Sequence, residues 1–152
     1  MSKRRYRSVP VNKLDWARLC DDVDGERIIV GVDIAKVDQY AAVMRADLSV
    51  VQTVRWKQPS QQADIVGLMV ELACRASELA VVMEPSGVYG DTIRHALLEE
   101  EIGVYRVSPK RAHDAAEVYD GVPSQHDAKA AAIIAKLHLD GASEQWPLRT
   151  DH

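Results

Sequence analysis

The chain has 152 residues, a net charge of −4, 47% hydrophobic and 28% charged residues, two cysteines and no phenylalanine. That length suits one domain with a real core rather than two, and the acidic balance argues against a uniformly basic nucleic-acid coat while leaving room for a local patch. Cys20 and Cys74 show neither metal-ligand spacing nor a secreted disulfide framework, no run approaches the roughly 18 apolar residues of a membrane span, and no signal peptide opens the chain, so a reducing cytoplasm is the expected compartment.

Residues 1–25 read as a basic arm, with Lys3, Arg4, Arg5 and Arg7 around Tyr6, and a short helical piece, "NKLDWARLCDD", ending at Gly25. The arm is either a solubilising tail or a phosphate contact with Tyr6 available for stacking. "RIIVGVDIA" (27–35) predicts a buried central strand. "QYAAVMRAD" and "LSVVQTVRW" alternate around a short Ala46–Asp47 connection and predict its antiparallel hairpin partners. Pro59–Ser60 offers a helix N-cap, and the following run puts Ile65, Leu68, Met69 and Leu72 on one helical face. "LAVVMEP" (79–85) predicts a fourth strand, and "GDTIRHALLEEE" a helix stopped by Gly103. "GVYRVSP" predicts a fifth strand closed by Pro109, followed by a short helix, a Gly121–Pro123 turn and a helix opened at Ser124. The tail beyond Gly141 shows no new element. Three hairpin strands followed by αβαβα predict an α/β fold with a mixed five-stranded sheet flanked by helices, the element order of the ribonuclease H-like fold. Element order alone does not give a function.

Chemistry enters with the acids. Asp33, in "GVDIAK", and Glu84, before "PSGVYG", each place a charge where an apolar strand ends. Taken singly, either is a strand-end carboxylate bonded to nearby backbone. On neighbouring strands they repel unless a cation or a shared proton lies between them, and Mg²⁺ takes one or two carboxylates with water and phosphate oxygens. Two metals about 3.5–4 Å apart suit in-line phosphoryl displacement. Asp127, in "SQHDAKAAAIIAKLH", is locally a capping-box residue with Ser124 as N-cap, and it also suits the helix dipole. An acid three residues on would share its face, yet position 130 is alanine.

Together, "GVDIAK", "MEPSGVYG", "VYRVSPKRAHDAA" and "HDAKAAAIIAKL" resemble the DEDD-type insertion-sequence transposases, the family that includes the Piv-type DNA invertases. The resemblance covers about residues 27–140. It implies a RuvC-like domain over 26–141 whose acidic tetrad binds Mg²⁺, with Mn²⁺ as its substitute, and acts on DNA. Asp33, Glu84 and Asp127 would be the metal ligands, and Ala130 occupies the place of the fourth acid. With the motif around Ala130 otherwise intact, a deliberate Asp→Ala exchange is favoured over drift, the bland alternative being an alanine proper to an alanine-rich helix. Lys36, Lys110, Arg111 and Lys129 are candidate nucleic-acid contacts, each more simply an exposed cation. The resemblance further implies DNA transposition by a cytoplasmic, nucleoid-associated recombinase. Its partners would be DNA, a structured non-coding guide RNA and further copies of the full-length protein, with no membrane. It implies as well a C-terminal serine-bearing domain that the residues after Gly141 do not supply, so 142–152 is a tail or the start of a linker.

With three acids and no serine domain, this chain alone is expected to be inactive. The alternatives are a non-catalytic nucleic-acid-binding or dimerisation module of the same fold and a RuvC-like nuclease. An exonuclease of the other four-acid type needs a glutamate where Ala35 stands, and a sugar-kinase-like ATPase needs a Gly-rich loop that "DIAKVDQY" lacks.

Overall fold

The computed structural model of the chain describes residues 8–34, 37–85, 90–118 and 129–146. β1 (Val9–Pro10) leads through a single 3₁₀ turn into α1 (Trp16–Val23). The antiparallel strands β2 (Arg27–Asp33), β3 (Asp38–Arg45) and β4 (Val50–Lys57) follow, then α2 (Gln62–Arg75). Next come β5 (Glu78–Met83), α3 (Asp91–Glu99), β6 (Gly103–Arg106), α4 (Pro109–Val118), α5 (Lys129–Leu139) and β7 (Glu144–Gln145). The sheet order is β1-β4-β3-β2-β5-β6-β7. β2, β5 and β6 run parallel, so their C-terminal ends share one edge of the molecule.

Side-chain alternation along the strands sorts the core into two layers. Ile28, Val30 and Val32 of β2 and Val81 and Met83 of β5 pack with α1, α2 and α3, whose contributions include Leu19, Ile65, Leu68, Met69, Leu72, Ile93 and Leu97. Ile29 of β2, Ala42 and Met44 of β3, and Val82 of β5 face the other way, onto Ala131, Ile134 and Ala135 of α5. The expected face of α2 is therefore the buried one.

The five expected strands are all present, but the sheet has seven. The two additions are two-residue edge strands, too short to leave an alternation in sequence. β1 pairs parallel to β4 through Val9 and Val54. β7 pairs antiparallel to β6, and the tail expected to hold no element is anchored there: the Trp146 N–H donates to the Val104 carbonyl at 2.9 Å. The Trp146 ring also lies 4.4 Å from the guanidinium of buried Arg94, a cation–π contact on α3.

Two boundaries differ from expectation. Pro59–Ser60 lies in the turn before α2, and Gln61 stands at the N-cap with its side-chain oxygen accepting from the Lys57 N–H instead. α3 stops before Gly103, because Glu101 takes the left-handed conformation (φ 63°). The N–H groups of Glu101 and Ile102 then close onto the carbonyls of Leu98 and Leu97, a Schellman-type ending that leaves Gly103 to open β6. The Ser124 start expected for α5 lies outside the described residues. Among the described residues no helix is long and apolar enough to cross a membrane.

Candidate metal and nucleic-acid site

The same alternation that builds the core places the acids. In β2, Ile29 and Gly31 face α5, so Asp33 continues on that face at the end of the strand; in β5, Val82 faces α5 and Glu84 follows two residues later. Val32 pairs with Met83 in the parallel ladder, and Asp33 and Glu84 are the next residue of each chain. Two half-buried carboxylates thus stand beside each other at the C-terminal edge of adjacent central strands. Burial raises the Asp33 pKa above the ordinary aspartate value. Burial and then the Asp33 charge raise that of Glu84. The repulsion belongs to the pair as a whole.

α5 supplies the facing wall. It approaches β2 closely because Gly31 has no side chain: a Cβ there would overlap the Ala131 carbonyl oxygen and stand 2.7 Å from the Ala135 nitrogen. Ala131 and Ala135, one turn apart, are the small residues that this approach requires. Ala130, in the first turn of α5, consequently faces Glu84 across a cleft of about 220 Å³, whose other lining residues include Pro109, Ala112 and His113. A carboxylate at position 130 would enter a cleft that already holds Glu84.

Of the expected residues, the structure sets Asp33 beside Glu84, and Glu84 across a cleft from position 130. Asp127 and Lys36 lie outside the described residues. Lys129 is half-buried at the start of α5, while Lys110 and Arg111 are exposed in the first turn of α4, away from the lining of the Glu84 cleft. Sequence reasoning missed His113, which enters that cleft from α4 with Pro109 and Ala112. Its signal was the i, i+3, i+4 spacing of those three residues on one helical face.

Among the described residues no three His, Cys, Asp or Glu side chains form a group able to hold a metal ion. The chemistry of the donors present nevertheless fits a hard divalent cation: two adjacent carboxylates, both raised above their ordinary pKa by burial and, for Glu84, by the Asp33 charge as well. This has a measurable consequence. A carboxyl whose folded pKa lies above its unfolded value binds more protons in the native state, so its penalty is absent below the unfolded pKa and grows as pH rises through the folded one. Asp33→Asn is therefore expected to raise the melting temperature at pH 7 in chelator, with the gain vanishing as pH falls to about 4. Melting curves across that range check it, and a D33N protein that is less stable at every pH contradicts it.

Residues 30–151 match the sequence pattern of a family described as transposase, the DEDD transposases of the IS110 type. No curated protein matches the chain in sequence. Among solved structures it is similar to the Thermus thermophilus RuvC structure, with a TM-score of 0.56, 16% identity, and coverage of 78% of this chain and 99% of that one. It is also similar to T. thermophilus RuvC in complex with Holliday junction substrate, with a TM-score of 0.54, 16% identity, and coverage of 79% and 99%. These likenesses show the fold, RuvC-like and so ribonuclease H-like.

Proposed function

Because the chain belongs to the IS110-type DEDD transposase family, we propose that it is the nucleic-acid-processing domain of a DNA recombinase, over residues 26–141, with the Asp33–Glu84 edge as its divalent-metal centre. The observation that carries this reading is the convergence of three elements: two carboxylates on one face of adjacent strand ends, and the first turn of α5 opposite Glu84. Asp33 and Glu84 would hold the cation, Mg²⁺ or Mn²⁺, with Asp127 as a third ligand. Such an ion, when bound, neutralises charge on a scissile phosphate and lowers the pKa of a bound water. The protein's own part is to fix the carboxylates on a rigid sheet edge and to present the phosphate to them.

Ala130 leaves that set one carboxylate short, which favours a second reading of the present chain as a nucleic-acid-binding module without strand-cleaving activity. Family membership supports DNA as the substrate; a structured guide RNA and further copies of the protein belong to the same reading as its partners. The test is cleavage of branched DNA by the A130D protein in Mg²⁺. Asp33→Asn and Glu84→Gln are each expected to abolish it, and cleavage that survives both substitutions refutes the metal assignment.

A further inference from the structure

A second, larger cavity of about 500 Å³ adjoins the acidic cleft. Pro109 lines both, and Pro85, the neighbour of Glu84, lines the larger one. One wall carries Arg106 at the end of β6 and Arg111 in α4, and the other is the 141–144 segment that leads into β7. The two arginines differ. Arg106 is held by Glu144, its Nε donating to the carboxylate at 2.8 Å. Arg111 is exposed and has no ion-pair partner among the described residues. Of the trough hydroxyls, Ser108 accepts from the Arg111 N–H at 3.1 Å and keeps its own O–H to donate, and Ser143 is 2.7 Å from His138 Nδ1. The cationic donors that can meet a phosphate here are therefore the Arg111 guanidinium and the terminal nitrogens of Arg106, whose charge Glu144 offsets.

Among the described residues no aromatic ring lines the trough, so none of them offers a platform for stacking a base. An arginine-walled channel of this kind suits the backbone, which positions a strand without reading its sequence. We infer that this trough carries the DNA strand into the acidic cleft, with Arg111 on a phosphate beside the scissile one and Glu144 acting as a built-in competitor that offsets the Arg106 charge beside the same strand. The inference rests on the proposed function for the position of the scissile phosphate.

The test is metal-free, so it is independent of cleavage. Binding of a fluorescent single-stranded DNA oligonucleotide of mixed sequence is measured by anisotropy in chelator over a range of salt. Arg111→Ala is expected to weaken binding about three- to tenfold and to reduce the salt slope by about 0.7, one phosphate contact on a single strand. Glu144→Gln, which keeps the length of the side chain, is expected to tighten binding about threefold and to steepen the slope by a similar amount. Arg18→Ala, the same loss of charge from α1, should change little; an equal effect there would reduce the result to net charge and overturn the trough. Unchanged binding in both R111A and E144Q overturns it as well. A matched RNA strand that binds more tightly, with the same dependence on Arg111, would overturn the assignment to DNA. Failure of these tests alongside intact metal-dependent cleavage by A130D would refute the trough alone, whereas loss of cleavage alongside these shifts would refute the metal centre alone.

Discussion

Replacing Ala130 with aspartate is expected to raise Mg²⁺-dependent cleavage of branched DNA by about 10²–10³-fold or more, the scale on which one preorganised charge-stabilising group changes a rate. The reason is geometric. Position 130 lies in the first described turn of α5 and lines the cleft that Glu84 enters from β5. An aspartate there adds a third oxygen donor to Asp33 and Glu84 without disturbing the core, because Ala130 is exposed while Ala131 to Ala135 are buried. The cost should fall on the metal-free protein. Asp33 and Glu84 already have raised pKa values, so a further negative charge in the cleft lowers stability in chelator at neutral pH, and divalent cation restores it. Cleavage assays and melting curves with and without Mg²⁺ check both halves. An A130D protein that is as stable in chelator as the parent and no more active would show that position 130 lies outside the site.

Gly31→Ala is expected to cost about 3 kcal/mol or more, at or above the upper end of ordinary overpacking, and to lower the melting temperature by roughly 6–12 °C. Here the added methyl meets backbone, the Ala131 carbonyl and the Ala135 nitrogen at 2.7 Å, rather than the far end of a flexible side chain. Gly31 lies in the central strand, paired with Ala42 on one side and Val82 on the other, so the strand cannot easily yield. The helix must move, and position 130 moves with it. In the A130D background, Gly31→Ala should therefore reduce metal affinity as well as stability. Urea unfolding gives the first quantity, and a loss under 1 kcal/mol would contradict the close contact. Gly31→Val should be more severe, its branched side chain having no free volume on that face.

Most of the fold was legible because its elements have lengths at which periodicity speaks. The seven-residue β2 and the eight-residue β3 and β4 alternate or run apolar, and α2 carries a clear buried face. β1 and β7 were not legible: a two-residue strand is defined by its partner, and nothing in "VP" or "EQ" announces one. The end of α3 was misplaced because Glu101 adopts a left-handed conformation that usually signals glycine. At the site, the strand-end positions of Asp33 and Glu84 were visible as charges closing apolar runs. Their common face follows from parity once the register is known, and only then does Gly31 stand out as the residue that brings α5 close. The Arg106–Glu144 pair was not legible, since it depends on how β7 packs at the edge of the sheet, and His113 was marked only by its helical spacing with Pro109 and Ala112.

The central claim, that the C-terminal edge of β2 and β5 is a divalent-metal centre completed from α5, is tested most directly by calorimetric titration of Mg²⁺ or Mn²⁺ into the A130D protein and into the same protein carrying Asp33→Ala. The expected result is saturable binding in A130D, weaker binding in the parent chain, and none when Asp33 is removed. Equal binding in all three, or none in A130D, would contradict it.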